Sequence, residues 1–393
     1  MSIRRGAGRS AQFVVKISKY CNLRCTYCYE FAELHKKHRM SLDEIRALFV
    51  NIADFVIPNR YDEIEFVWHG GEPFLVPFNY YDEIYRLQKD VFGTEMQVSN
   101  GVQTNLTILT EGHLEHLKAG RFFSGLGVSI DPYGDHRVDK KGAQTETRVA
   151  ANLQRLVDAN ISFGAIVVVA RSTLPHIPDI CRFFDDLGVA VRFLPFYLSA
   201  SEETISKQQI DRHAMSYHEL TSSLRTIIDC WFASSKALSW DPLDEYIDFS
   251  LDYVGGKSRY FYDRLADESV FVVNLDGQVW GAGDTYIPEF VYGNLFEESL
   301  ATLLASESRR RRCDQANERM GRYCAKCPYY GACPGFFVGD ASSVDEALLD
   351  NSGCPVRFAI EELLKRFESA GLLSRFLNPH AEDRLNAKPG YGR

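Results

Sequence analysis

Apolar residues alternate in short runs along the first half of the chain, at Phe13 to Ile17, Ile64 to Trp68, Met96 to Thr104, Gly125 to Ile130, Ile161 to Val169 and Val189 to Leu194. Such runs read as strands. Between them the apolar positions recur every three or four residues, in Ser41 to Phe55, Tyr80 to Val91, Glu111 to Ala119, Thr147 to Ala159 and Leu174 to Leu187, which is the stripe of an amphipathic helix. Strand followed by helix, repeated, predicts right-handed βα units around a parallel sheet. Six units predict an α/β fold of partial (β/α)6 TIM-like barrel type; the pattern fades after residue 195, which argues against a closed eight-stranded barrel. From about Ala200 the chain turns polar and then amphipathic through Trp231. Phe271 to Val273 and Gln278 to Trp280, joined through Asp276-Gly277, predict a β-hairpin. A helical stretch follows at Leu295 to Arg310. The terminal segment Asn378 to Arg393, rich in Pro, Gly and charge, is expected to fray.

Composition narrows the class without changing that picture. With 393 residues, 45% of them hydrophobic and 25% charged, the chain can bury a sizeable core. Its net charge of -9 argues against a nucleic-acid partner, since phosphate binding calls for a basic patch. The opening MSIRRGAGRS carries three arginines but no apolar run follows, and nowhere do eighteen apolar residues stand together, so a cytoplasmic protein without a membrane span is expected.

The cysteines change the picture most. Seven of the ten fall into two groups, Cys21, Cys25 and Cys28, then Cys324, Cys327, Cys333 and Cys354. Grouping of this kind in an intracellular chain points to metal rather than to disulfides. Three thiolates within eight residues, just after a strand, suit a four-iron cluster with one open iron. A zinc knuckle is the alternative, with His35 as a fourth ligand. The second group's four thiolates would fill a zinc site or a fully ligated cluster equally well. Cys181 and Cys230 lie in helical patterns and are expected to be buried small hydrophobes. Cys313, in an arginine-rich stretch, is a candidate for a lowered thiol pKa.

Cys21-x3-Cys25-x2-Cys28, with Tyr27 before the last cysteine, resembles the radical S-adenosylmethionine superfamily. The resemblance implies a [4Fe-4S] cluster whose open iron binds the amino and carboxylate groups of S-adenosylmethionine, and cleavage of that cosubstrate to a 5'-deoxyadenosyl radical. It places Tyr27 near the adenine. His69-Gly70-Gly71-Glu72-Pro73 resembles the family's glycine-rich motif, implying a backbone that meets the cosubstrate's amino group and an acid that accepts from it. Gln103-Thr104-Asn105 and Ser129-Ile130-Asp131 put polar groups at successive strand ends, where ligands of parallel βα folds bind. By the resemblance Gln103, Asn105, Ser129 and Asp131 belong to the cosubstrate site, and Arg137 is a carboxylate-binding arginine.

The second cysteine group resembles the auxiliary-cluster extension of peptide-modifying radical enzymes, often called the SPASM domain. A complete extension holds two auxiliary clusters. Here Ala282 stands at the probable hairpin cysteine, Phe337 four residues after Cys333, and no cysteine lies between Cys230 and Cys313. The resemblance therefore implies one auxiliary [4Fe-4S] cluster, the more distant. The chain is expected to divide into a tail 1–12, a radical barrel 13–200, a helical bridge 201–265, a SPASM-like domain 266–377 and a tail 378–393. The implied function is a peptide maturase that modifies a ribosomally made precursor, by side-chain crosslinking of the cyclophane type, with a flavodoxin or ferredoxin as electron donor. No separate winged-helix domain for a leader is evident before Phe13. The alternatives are a formylglycine-forming sulfatase maturase and a non-catalytic metal-binding scaffold. Among sulfatase maturases an acid follows the hairpin cysteine as base; Gly283 stands there, leaving Asp284 as the candidate base.

Overall fold

A computed structural model describes residues 9–94, 96–196, 207–258, 260–341, 346, 349–350 and 352–373. The expected tail 378–393 and most of the tail 1–12 lie outside the described residues.

Six parallel strands stand in chain order: β1 (Ser10–Ser18), β2 (Glu63–Gly70), β3 (Gln97–Thr104), β4 (Gly125–Ser129), β5 (Gly164–Val169) and β6 (Val191–Pro195). Helices α1 (Leu42–Val56), α2 (Phe78–Phe92), α3 (Glu111–Ala119), α4 (Glu146–Asp158) and α5 (Ile177–Leu187) alternate with them. The first helix shows why the local sequence folds this way. Ser41 caps it in a reciprocal box with Glu44, satisfying two otherwise orphaned amides. Ile45, Leu48, Phe49, Ile52 and Val56 then form one buried stripe. Phe49 meets Phe66 of β2, which stacks in turn on Phe13 of β1. Each such ring or aliphatic group contributes roughly 1.5–3 kcal/mol on full burial.

Because successive strand residues face opposite ways, the positions between these core residues point into the barrel. Gln12 and Lys16 of β1 lie in register with Glu65 and His69 of β2. Gln103 of β3 stands opposite Gly127 of β4. The interior is therefore polar toward the carboxyl ends of the strands.

The sheet does not stop at six strands. After α6 (Lys207–His213) and α7 (Tyr217–Ala233), β7 (Trp240–Asp241) pairs parallel with β6. Helices α8 (Leu243–Val254) and α9 (Arg264–Asp267) follow. Then β8 (Val270–Val273) crosses to the opposite edge and pairs parallel with β1, with Phe13 beside Phe271. Antiparallel β9 (Gln278–Gly281) and β10 (Gly293–Asn294) complete ten strands in the order β10-β9-β8-β1-β2-β3-β4-β5-β6-β7. The hairpin expected to belong to a separate extension is thus hydrogen-bonded into the barrel sheet. Its turn has Gly277 at φ +86°, a conformation natural to glycine.

Beyond the sheet come α10 (Leu300–Leu304), α11 (Glu307–Arg319), a single π turn at Met320–Cys324, α12 (Phe336–Gly339) and α13 (Pro355–Ser369). The expected helix Leu295 to Arg310 is two helices, broken where Ser306 caps the second. Helix α13 packs on α7 and α8. One apolar core runs from Ala11 to Phe367, and a smaller cluster forms around Tyr262, Met320 and Cys324. Among the described residues no helix is long and apolar enough to cross a membrane.

Candidate functional site

The loop after β1 carries Cys21, Cys25 and Cys28, and the segment after β4 lies across it. Arg24 N–H donates to Val138 O at 2.7 Å, and Thr26 N–H to His136 O at 2.9 Å. This pairing brings Arg137 beside Cys25. The three cysteines are buried or nearly so. Cys21 Sγ accepts from Leu23 N at 3.3 Å and Asn105 Nδ2 at 3.6 Å. Burial, then the Glu72 carboxylate, pushes the Cys21 thiol up to about 12. Burial also raises Cys25, against the pull of Arg137, and raises Cys28. Three buried thiols in one loop become thiolates only with a cation among them.

Arg137 Nη1 donates to Tyr27 Oη at 2.7 Å and lies 3.6 Å from Asp131. Its Nε is buried without a hydrogen-bond partner. An orphaned guanidinium donor beside Cys25 fits the carboxylate of an amino-acid ligand bound at the same place. Tyr27 Oη also donates to Asp131, whose other oxygen accepts from Val168 N at 2.8 Å. Behind the Tyr27 ring stand His136 and His213, bridged by Thr26 and Ser172 hydroxyls at 3.1–3.4 Å. Gln103 Nε2 donates to Ser129 Oγ at 2.7 Å. It reaches because a Cβ on Gly127 would run into the Gln103 amide.

The glycine motif packs directly on the backbone that leads into the cysteine loop. Gly70 takes φ +127°, and a Cβ there would collide with Ser18 O; on Gly71 it would collide with Tyr20 O. Gly71 N–H and Glu72 N–H donate to Ser18 O and Tyr20 O at 2.8 and 2.9 Å. The two glycines therefore let β2 grip the backbone leading into the cysteine loop. Glu72 turns its carboxylate toward neighbouring backbone and side-chain donors. It is 1% exposed and accepts from Phe74 N, Thr104 Oγ1 and Asn105 N at 2.7–2.8 Å. A buried carboxylate must be satisfied, and these three donors tie the ends of β2 and β3 together. Pro73 opens the short turn that Glu72 caps.

The second group lines a cavity of about 430 Å³ that Cys324, Cys327, Cys333 and Cys354 share. Gly335 adjoins it at φ +84°, and an added Cβ would stand 3.1 Å from Cys324 Sγ and 2.6 Å from Met320 Cε. The glycine keeps room beside the sulfur. Burial pushes the Cys324 and Cys333 thiols up to about 12. Among the described residues no three His, Cys, Asp or Glu side chains gather as around a single ion. A four-iron cluster instead meets each thiolate at a separate corner.

Ala282 stands in the hairpin where the resemblance expects a further cysteine. Around the end of the hairpin stands a buried ion-pair network. Asp284, 0% exposed, accepts from Arg264 Nη2 at 2.6 Å, and from Arg312 Nε and Nη2 at 2.9 and 2.5 Å. Glu268 joins Arg264 at 3.0 Å and Arg309 at 2.8 Å. Both oxygens of Asp284, the candidate base, are thus engaged by guanidinium groups, which stay protonated. The expectation for Cys313 is corrected. Helix α11 buries it, and burial raises its thiol despite the nearby arginines. Cys181 is buried as expected, and Cys230 is half-buried beside it.

Sequence reasoning assigned no role to a cluster inside the barrel mouth: Lys16, Lys19, Tyr29, Glu30, His69 and Tyr286. Lys19 pairs with Glu30 at 2.9 Å, and Tyr286 donates to Glu30. His69 Nδ1 accepts from Gly70 N at 2.7 Å, and burial, then Lys16, keeps its ring neutral. The signal present in the sequence was a lysine inside an apolar strand.

Residues 15–184 match the family model described as the Radical SAM superfamily. With the strand-end site, this defines the class of the barrel: residues 15–184 are a radical S-adenosylmethionine domain, and the cysteine-rich carboxy-terminal part follows it. The cofactors of the class are a [4Fe-4S] cluster and S-adenosylmethionine, with an auxiliary cluster in the extension. Within it the chain is similar to a serine-type anaerobic sulfatase-maturating enzyme of Bacteroides thetaiotaomicron, 24% identical over 82% of this chain and 81% of the relative. It is also similar to a cysteine-type anaerobic sulfatase-maturating enzyme of Clostridium novyi, 22% identical over 83% of this chain and 87% of the relative. The fold matches that of native anSMEcpe with bound AdoMet and Cp18Cys peptide, at TM-score 0.71 and 19% identity over 95% of this chain and 99% of the other. Streptococcus suis SuiB bound to S-adenosylmethionine matches at TM-score 0.58 and 12% identity, over 89% and 76%.

Proposed function

We propose that Cys21, Cys25 and Cys28 hold the cosubstrate-cleaving [4Fe-4S] cluster, and that the chain modifies a side chain of a peptide or protein. The observation that carries this is the unpartnered Arg137 Nε beside three buried thiols at the strand ends. When bound, the cluster and S-adenosylmethionine supply a 5'-deoxyadenosyl radical that takes a hydrogen atom from the substrate. The chain's own residues do the rest. Arg137 binds the cosubstrate carboxylate, and Asp131 and Tyr27 hold Arg137 in place. Gln103, Asn105 and Ser129 line the ribose and amino-acid side. Gly70, Gly71, Glu72 and Pro73 act one step back, fixing the cysteine loop. Cys324, Cys327, Cys333 and Cys354 hold one auxiliary cluster.

The preferred substrate is a ribosomally made precursor peptide, joined between side chains, with electrons from a flavodoxin or ferredoxin. Capture of Asp284 by two arginines supports this reading, because it withdraws the hairpin acid from proton transfer. The names of the relatives support the second reading, oxidation of a sulfatase Ser or Cys to formylglycine. Mass spectrometry of coexpressed candidates separates the two. A crosslink removes two hydrogens and leaves no carbonyl. Formylglycine gives an aldehyde that a hydrazide probe captures, and such an adduct would overturn the crosslinking reading. Absence of 5'-deoxyadenosine above a Cys21→Ala control would overturn both.

A further inference from the structure

Lys16 lies in the apolar run Val14-Val15-Lys16-Ile17 and is 2% exposed. A buried ammonium persists only where its surroundings hold it. Its Nζ donates to Tyr29 Oη at 2.5 Å, stands 3.4 Å from His69 Nδ1, and pairs with Glu30 at 3.8 Å. Glu30 is shared with Lys19, itself 6% exposed. Two buried ammonium groups thus divide one carboxylate, which leaves a surplus positive charge among these groups. Tyr29 and Glu30 directly follow Cys28, so both groups that hold Lys16 sit on the segment that carries the third cysteine.

We propose that Lys16 sets the reduction potential of the cluster held by Cys21, Cys25 and Cys28, as a buried counter-charge. It is a positioning residue, and its role rests on the ligand assignment proposed above. Reduction adds one negative charge to a site that already carries three thiolates. A buried cation nearby favours the reduced form, and exclusion of water leaves the attraction unscreened. Without such a cation a donor must be more strongly reducing to start the reaction. Glu30 opposes Lys16: its carboxylate cancels part of the surplus, so the two residues shift the potential in opposite directions.

The test is an EPR-monitored redox titration of the reconstituted full chain, with S-adenosylmethionine added to mark the open-site cluster. Lys16→Met is expected to lower the midpoint by a tenfold change in the reduction constant, about 59 mV for one electron. Glu30→Gln raises it, and Lys16→Arg stays near the unmutated value. Midpoints of Lys16→Met and Glu30→Gln that coincide with the unmutated protein, or that move in the same direction, overturn the proposal. Should Lys16→Met fail to retain the cluster, Glu30→Gln decides alone: a raised midpoint supports the counter-charge, an unmoved or lowered one refutes it. A variant lacking Cys21, Cys25 and Cys28 that keeps the cosubstrate-sensitive signal would refute the ligand assignment instead.

Discussion

Replacing Asp284 separates two roles that the sequence leaves open. If the carboxylate is the anionic centre of the network, Asp284→Ala takes the counter-ion from Arg312, 3% exposed, and leaves Arg264, 2% exposed, to Glu268 and Asp340. Three charge-assisted hydrogen bonds are lost together. Removing one partner of a buried pair costs about 3–5 kcal/mol, because the remaining charge stays buried. Glu268 and Tyr292 still contact Arg264, at 3.0 and 3.1 Å, whereas Arg312 keeps Gln315, Ala341 O and the Phe290 ring, none of them a carboxylate. The loss should therefore fall mainly on Arg312 and recover in part when it is made apolar, in Asp284→Leu with Arg312→Met. Thermal and denaturant unfolding of the reconstituted protein, read for the single and double variants, measures this. An Asp284→Asn protein as stable as the unmutated one, releasing 5'-deoxyadenosine at the normal rate but forming no product, would refute the structural role and restore the base.

Other outcomes follow from the same geometry. Arg137→Met should weaken S-adenosylmethionine binding about ten- to hundredfold, the worth of hydrogen bonds to a charged group, as read by equilibrium binding to the reconstituted protein. Gly71→Ala forces a Cβ against Tyr20 O and should cost iron in the first site while leaving the second loaded. Iron and sulfide analysis should give about eight irons per chain, the content of two four-iron clusters; about twelve would contradict the loss of the nearer auxiliary cluster. Burial pushes His136 and His213 down to about 4, so both are neutral when folded and bind protons more readily when unfolded. Stability should then fall as pH drops from about 6.5 toward 4; unfolding midpoints across that range, flattened in His136→Gln and His213→Gln, check the sign.

Local periodicity and spacing determined much of this protein. Alternation at Phe13, Val15 and Ile17 and the stripe from Ile45 to Val56 depend on neighbours within a few residues, so six βα units were legible. The same holds for the loop of Cys21, Cys25 and Cys28, three cysteines within eight residues. The tertiary structure decided whatever depends on distant partners. Nothing local marks β8 as the neighbour of β1 rather than the start of a separate extension. Nothing near Glu72 in the sequence names Thr104 and Asn105 as donors to its carboxylate. Asp284 stands out in the sequence as a candidate base, and only the fold brings it the arginines of α9 and α11. Tyr286 reaches Glu30 across 256 positions of sequence. A buried charge takes its meaning from the groups that solvate it, and folding alone brings those groups together.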